Sequence, residues 1–221
     1  MTKIVYATTN PGKLTEMRRH FSIQGIEVLT MHDLGCNDID VPEPGTTLGE
    51  NAKIKVRAYL DELAQQRALP PEKILVLSDD TGLEIDTLNG EPGIHVRRWK
   101  GYRMDDEEII AYALERLNNI PYAQRGAEFR SVVAVGVLGA DKTKESYINF
   151  FEGTLRGSIL ETPLTERVNG FPFESLLFID EWDMSLYEAS HLPTQERICY
   201  FSHRERAIQA ALPFIIRQTA L

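Results

Sequence analysis

Two adjacent carboxylates, Asp79 and Asp80, are the residues of this chain whose type and position most directly indicate chemistry. They follow an apolar run, residues 74–77, that is typical of a buried strand. Because successive side chains of a strand point to opposite faces, we expect the two carboxylates to have different roles. A carboxylate at the end of a buried strand can hold Mg²⁺ against a phosphate, since Mg²⁺ takes a few oxygen ligands and keeps several waters. The alternative is a solvated acidic turn; in either case we expect Gly82 to bend the chain before a second extended segment begins at Leu83.

A second candidate site lies near the N-terminus, where a predicted strand over residues 3–7 leads into Thr8, Thr9 and Asn10. The amphipathic helix that follows carries Lys13 in its first turn. Free N–H groups and the positive end of the helix dipole favour a bound anion there, and Lys13 adds a full positive charge. The alternative is that the polar residues only cap the helix. The stretch lacks the longer glycine-rich pattern of a Walker A loop.

A long helix is predicted over about residues 46–66. Thr47, followed by Glu50 three positions later, has the spacing of a capping box. Glu50 could equally be a second metal carboxylate, and the spacing alone does not choose between the two roles. Lys55 lies in the same first turns of the helix.

The C-terminal half is predicted to contain both helices and strands. We expect a helix over residues 105–118 and a hairpin-like pair of strands over residues 129–138 and 147–155. A final helix is predicted to start after Ser202 and to be disrupted at Pro213.

Two stretches of this half could contact a flat or anionic ligand. Residues 168–175 include Phe171, Phe173 and Glu174 and could stack on a ring, or could instead plug the hydrophobic core. His203 and Arg204 stand side by side at the positive end of the final helix, where they could donate hydrogen bonds to an anion or to a carbonyl oxygen of a purine.

The composition limits the class of protein. The 221 residues, 43% hydrophobic and 26% charged, fit one large domain or two small lobes. A net charge of −9 argues against a general nucleic-acid-binding protein, although a local basic pocket can still hold a small anion. Cys36 and Cys199 have no metal-binding spacing, so a reduced, cytoplasmic setting is expected. The first apolar run is too short for a signal peptide, and no run approaches the roughly 20 apolar residues of a membrane span.

Four of these stretches, taken in order, resemble the inosine triphosphate pyrophosphatase family. They are residues 8–13, the run Glu50-Asn51-Ala52 with Lys55, residues 78–84 continuing through 88–93, and Ser202-His203-Arg204. The resemblance implies a mixed α/β fold with an elongated sheet and flanking helices, arranged as two lobes around a central cleft within a single domain, 1–221. It also implies a homodimer that hydrolyses deaminated purine nucleoside triphosphates (ITP, dITP and XTP) to the monophosphate and pyrophosphate with Mg²⁺.

The same resemblance implies roles for individual residues. Asp80 would be the catalytic base that orients or activates water, and Asp80 and Glu50 would hold Mg²⁺. The remaining candidate residues would bind substrate, some at the phosphates and others at the base: Thr8, Thr9, Asn10, Lys13, Lys55, Thr81, Phe171, Phe173, Glu174, His203 and Arg204.

This chain departs from the family pattern mainly at the base-recognition end. The family usually has Phe-Gly-Tyr-Asp-Pro where this chain has residues 171–175, with Pro172 in place of Gly and Glu174 in place of Asp. Ile198 replaces a Lys, and Glu205 stands where a small or neutral residue is more usual. These departures leave open the alternative of a pyrophosphatase for a different nucleotide. A further alternative is a nucleotide-binding or sensing protein that does not hydrolyse, although the presence of Lys13, Glu50 and Asp80 argues against it.

Overall fold

The computed structural model describes residues 2–66, 73–139, 148–197 and 199–219. Most of the turn expected between the two long strands, and Ile198, lie outside the described residues. Within them, the strands are β1 (Thr2–Tyr6), β2 (Ile26–Leu29), β3 (Ile74–Ile85), β4 (Pro92–Gly93), β5 (Gly126–Leu138), β6 (Asn149–Ile159), β7 (Leu177–Ile179) and β8 (Met184–Ser185). The helices are α1 (Pro11–Ser22), α2 (Leu48–Gln65), α3 (Asp106–Arg116), α4 (Leu186–His191), α5 (Thr194–Arg197) and α6 (His203–Thr219). No helix among the described residues is long and apolar enough to span a membrane.

The strands form one eight-stranded sheet in the order β2-β1-β3-β5-β6-β7-β8, with β4 paired to β3. β1 runs parallel to both β2 and β3, whereas β4 is antiparallel to β3 and β7 is antiparallel to β6 and β8. This mixed sheet with flanking helices confirms the predicted fold class. In the parallel register Tyr6 lies opposite Leu77, so the loop after β1 begins beside Asp79 and Asp80.

The chain divides into two compact units. The first comprises residues 1–80, 131–153 and 204–221, and the second comprises residues 81–130 and 154–203. Strand β3 contributes to both units, and the division falls between Asp80 and Thr81.

The first unit has apolar clusters on both faces of its strands. Ile4 and Leu75 pack in the cluster that contains the inner faces of α1 and α6. Val5 and Val76, one position along each strand, pack in the cluster that contains α2. Since strand side chains alternate between faces, continuous apolar runs are what a sheet covered on both sides requires.

The second unit has its own core. The end of β3 packs there with α3, with part of β5 and with Phe173. Within this unit Gly82 lies close to β4, and a Cβ added at Gly82 would be 2.7 Å from the carbonyl oxygen of Gly93.

Two local predictions are wrong. The chain does not bend at Gly82, because β3 is continuous from Ile74 to Ile85. The missing side chain of Gly82 instead allows the backbone of Gly93 in β4 to lie close to β3. The final helix is not disrupted at Pro213 but continues to Thr219. Proline removes one helical hydrogen bond, but the apolar residues Phe214 and Ile215 after it remain buried and keep the segment against the sheet.

Candidate active site

Asp79 lies at the centre of a buried cluster of charges in the first unit. Its side chain is 1% exposed, and its Oδ2 accepts hydrogen bonds from Lys13 Nζ at 2.9 Å and from Arg204 Nε at 3.1 Å. The Tyr6 hydroxyl donates to Oδ1. Arg204 also donates from Nη1 to the carboxylate of Glu16. Two cations and a phenol therefore surround this carboxylate.

These contacts shift the ionisation of the cluster. Burial alone would raise the pKa of Asp79, but Lys13 and Arg204 outweigh it and hold the pKa well below its usual range. Burial raises the pKa of the Tyr6 hydroxyl well above its usual value, and the neighbouring Asp79 raises it further. Burial lowers the pKa of Lys13 despite the attraction of Asp79. Asp79 is therefore a fixed anion and a poor proton acceptor.

Asp80, the next residue of β3, has a different environment. It is half-buried, and its Oδ2 accepts a hydrogen bond from Asn51 Nδ2 at 3.0 Å. Burial raises the pKa of Asp80, against the opposing effect of Lys13 and Lys55. A carboxylate with a raised pKa takes up a proton more readily than one held in ion pairs. The adjacent carboxylates thus differ, as the alternation of strand side chains predicted.

Two contacts connect α2 to this end of β3. Lys55 Nζ donates to the backbone oxygen of Asp79 at 3.0 Å and forms an ion pair with Glu43. Although burial alone would lower the pKa of Lys55, Asp79 and Glu43 outweigh it and raise the pKa. Ser78 Oγ donates to the backbone oxygen of Ala52 at 2.6 Å. The helix therefore fixes the strand end that carries both carboxylates.

The loop after β1 caps α1. Asn10 Oδ1 accepts from the backbone N–H of Gly12 at 2.9 Å and of Lys13 at 3.2 Å, and the N–H of Asn10 donates to Thr8 Oγ1 at 3.2 Å. Thr9 is exposed. Asn10 therefore caps the helix, as the capping alternative proposed. Lys13, in the first turn of the same helix, contributes its ammonium group to the buried cluster.

Glu50 is exposed in the first turn of α2. Thr47 Oγ1 accepts from the N–H of Glu50 at 3.1 Å, as the capping spacing predicted. The Glu50 carboxylate accepts from the N–H and the hydroxyl of Thr46 at 2.7 and 2.8 Å, one residue before the cap. These hydrogen bonds, led by the backbone N–H of Thr46, lower the pKa of Glu50 and keep it ionised.

Two of the predicted site residues, Glu50 and Asp80, carry oxygen donors of the kind that a hard divalent cation takes. Among the described residues, no group of three or more His, Cys, Asp or Glu side chains is placed to hold a metal ion by itself. Two carboxylates, Glu50 and Asp80, are nevertheless what Mg²⁺ uses when waters and substrate phosphate oxygens complete its coordination.

In the second unit, three of the aromatic residues pack together. The ring of His203 stacks on Phe129 with centroids 4.4 Å apart and planes 13° apart, and Phe173 meets Phe129 edge to face at 6.2 Å. Phe173 is only 1% exposed, so it belongs to the hydrophobic core, as the core-plugging alternative proposed. His203 is also buried, with its ring plane set by Phe129.

The loop of residues 168–175 is anchored by two neighbouring helices of this unit. The N–H of Gly170 donates to Asp106 Oδ2 at 2.7 Å in the first turn of α3. Ser190 Oγ of α4 donates to Glu174 Oε2 at 3.0 Å. Phe171 is half-buried, as is Thr81 in β3.

Sequence reasoning missed several residues that shape the Asp79 and Asp80 environments. Asn51 stands in one of the matched stretches, so its position was available as a signal. Tyr6 and Glu16 gave none, because Tyr6 is 73 positions from Asp79 and Glu16 is 188 positions from Arg204.

The fold and the charge cluster together define a mixed α/β protein. Its acidic and basic side chains gather where the buried strand β3 meets the N-termini of α1 and α6. A family model described as the Ham1 family matches residues 4–214, and the chain belongs to this family. The dITP/XTP pyrophosphatase of Thermoanaerobacter pseudethanolicus is 34% identical over 98% of each chain, and that of Bacillus cereus is 35% identical over 95% of this chain and 92% of its own. The Staphylococcus aureus Ham1 protein has a similar structure, with a TM-score of 0.72 and 30% identity over 98% of this chain and all of its own. The predicted family resemblance is confirmed.

Proposed function

We propose that this protein is a Mg²⁺-dependent nucleoside triphosphate pyrophosphatase that hydrolyses ITP, dITP and XTP to the monophosphate and pyrophosphate. The observation that carries the proposal is the contrast between Asp79 and Asp80. One carboxylate is neutralised by two cations, while its neighbour is half-buried and faces the amide of Asn51. The relatives named dITP/XTP pyrophosphatase support the reaction and the class of substrate.

Asp80 is assigned as the general base. It accepts a proton from a water molecule whose oxygen forms a bond to the α-phosphorus, and the bond from that phosphorus to the bridging oxygen of the β-phosphate breaks. Pyrophosphate leaves and the nucleoside monophosphate remains. Glu50 and Asp80 would hold Mg²⁺, which would supply charge stabilisation at the phosphate oxygens.

The phosphates are assigned to the cations and polar groups near the start of α1 and α2. Lys13 and Lys55 carry charge, and Thr8 and Thr9 offer hydroxyl groups beside the N-terminus of α1. A local concentration of cations attracts a polyphosphate even though the protein has a net charge of −9.

Base recognition is assigned to Phe171, Glu174 and His203. A second candidate function, hydrolysis of a different nucleoside triphosphate, is favoured by the loop itself. Pro172 restricts its backbone, and Phe173 is too deeply buried to offer a stacking face. The two functions differ only in the base that is accepted.

The test is pyrophosphate release with Mg²⁺ from ITP, dITP, XTP, GTP, ATP, UTP and dUTP. We expect the wild type to prefer ITP and XTP. Asp80→Asn should lose pyrophosphate release from both. Asp40→Asn, a matched change at an exposed loop carboxylate, should retain full activity. Preference for another nucleotide would select the second function, and tight binding without turnover would identify a non-hydrolysing sensor.

Three expectations remain predictions: the homodimer from the family resemblance, the cytoplasmic location from the two cysteines, and the lack of nucleic-acid binding from the net charge. Light scattering coupled to size-exclusion chromatography measures the mass of the assembly, and a monomer at micromolar concentration would contradict the dimer.

A further inference from the structure

The loop of residues 168–175 begins with a tight turn. The N–H of Phe171 donates to the backbone oxygen of Val168 at 2.9 Å and closes this turn. Gly170, the third residue of the turn, has a φ of +87°, and a positive φ at that position is characteristic of a type II turn. The closing hydrogen bond does not use the N–H of Gly170, so this donor needs an acceptor of its own.

Asp106, in the first turn of α3, supplies that acceptor. Its Oδ2 accepts from the N–H of Gly170 at 2.7 Å. Its Oδ1 accepts from Arg97 Nη1, and the two side chains form an ion pair. The Asp106 side chain is only 20% exposed, so the surrounding protein partly shields both contacts from water. The ion pair therefore fixes the direction of the carboxylate that holds Gly170.

The next carboxylate of α3 contacts the segment just before the loop. Arg167 Nε donates to Glu107 Oε1 at 2.6 Å, but the two side chains are 33% and 66% exposed. An ion pair this open to solvent contributes little to stability. Of the two contacts between α3 and the start of the loop, the one made by Asp106 is the stronger restraint.

The end of the loop is anchored separately. Phe173 lies in the hydrophobic core, and Ser190 Oγ donates to Glu174 Oε2 at 3.0 Å. Phe171 is half-buried and lies between these anchors and Gly170. Since Phe171 directly follows Gly170, a displacement of the turn would move the Phe171 ring more than it would move Phe173.

We propose that Asp106 is a positioning residue that places the ring of Phe171 for the base of the nucleotide, through its hydrogen bond to the N–H of Gly170. The inference rests on the proposed function, which assigns Phe171 to the base. Stacking of a base depends on where the aromatic ring is held, whereas the phosphates are assigned to residues of the first unit. Asp106 therefore affects the binding of the base and not the binding of the phosphates.

The first test measures KM and kcat for the nucleotide that the wild type prefers. Asp106→Ala removes the acceptor, and we expect KM to rise about tenfold with kcat changed by less than about threefold, on the scale of base–aromatic stacking. Asp106→Asn keeps an oxygen for the N–H of Gly170 and should recover most of the lost affinity. The control Asp105→Asn removes the adjacent carboxylate but keeps a side chain that can cap α3, so its KM should equal that of the wild type. An unchanged KM in Asp106→Ala would overturn the proposal.

The second test asks whether the effect of Asp106 passes through Phe171. Phe171→Ala should itself raise KM, and adding Asp106→Ala to it should raise KM by less than about threefold more. Equal increases with and without the Phe171 ring would show that Asp106 acts independently of it, which contradicts the proposal. Circular dichroism checks that each variant is folded. If Asp106→Ala does not fold, Arg97→Gln, which releases the other oxygen of the carboxylate, takes its place in the comparison.

The third test separates this inference from the proposed function. Isothermal titration calorimetry measures the Kd of inorganic tripolyphosphate with Mg²⁺ and the Kd of the nucleoside monophosphate of the preferred base. Asp106→Ala should bind the monophosphate about tenfold more weakly and tripolyphosphate as the wild type does. If the wild type hydrolyses no nucleotide, the proposed reaction fails, and the Kd of inosine monophosphate still decides the role of Asp106. Equal losses of affinity for both probes, or a wild type that does not bind the monophosphate, would refute that role.

Discussion

Replacing Asp79 or Asp80 by asparagine gives a matched test of how differently these two adjacent carboxylates contribute to stability and to activity. Asp79→Asn keeps the shape of the side chain but removes the charge that faces Lys13 and Arg204. Breaking a buried ion pair by removing one partner costs about 3–5 kcal/mol of unfolding free energy, because an uncompensated charge stays buried. Glu16 still neutralises Arg204, and Lys13 is 19% exposed and can turn towards solvent. We therefore expect a loss near the lower end, about 3 kcal/mol.

Asp80→Asn, in contrast, should leave the free energy of unfolding almost unchanged. Burial raises the pKa of Asp80, so its charge carries a cost in the folded state. Asparagine retains an oxygen that can accept from Asn51, and we expect the free energy of unfolding to change by less than about 1 kcal/mol. Pyrophosphate release should nevertheless be lost.

Urea unfolding followed by circular dichroism measures both values, with equal slopes against denaturant required for the comparison. The pKa of Asp79 is depressed in the folded state, so its contribution is complete above the unfolded value, near pH 4, and is lost as the pH falls through the folded pKa. The difference between wild type and Asp79→Asn should thus be constant from about pH 5 to 8 and shrink below about pH 4. If Asp79→Asn unfolds within about 1 kcal/mol of the wild type at pH 7, the buried cluster does not act as described.

Two further substitutions test the second unit. Gly82→Ala would place a Cβ 2.7 Å from the backbone of Gly93 and should cost about 1–3 kcal/mol of unfolding free energy in urea, whereas Gly49→Ala, with open space around its Cβ in α2, should be neutral or slightly stabilising. Equal changes in unfolding free energy for the two substitutions would show that β4 can shift to accommodate the added Cβ at little cost. Ser190→Ala removes the hydroxyl that holds Glu174 and should raise the KM for the preferred nucleotide by up to about tenfold with kcat little changed. An unchanged KM would exclude Glu174 as a specificity residue.

The parts of the structure that follow from short sequence patterns were predictable. The caps at Asn10 and Thr47 and the strand leading to the paired carboxylates depend on neighbours within a few positions. The course of α6 beyond Pro213 was not predictable, because burial of its apolar face overrides a local preference. The partners of Asp79 also escaped prediction, since β1, α1 and α6 bring them from distant parts of the sequence.

The two carboxylates owe their separation to a single step along β3. Asp79 points to the side where Lys13 and Arg204 lie, and Asp80 meets Asn51 of α2. A shift of the strand by one residue would exchange their environments, so the parallel register with β1 specifies which carboxylate is neutralised. Asn51, which holds Asp80, lies in the first turn of α2, the turn that also carries Glu50. The register of β3 in the sheet therefore separates the carboxylate that the cations neutralise from the one assigned as the proposed base.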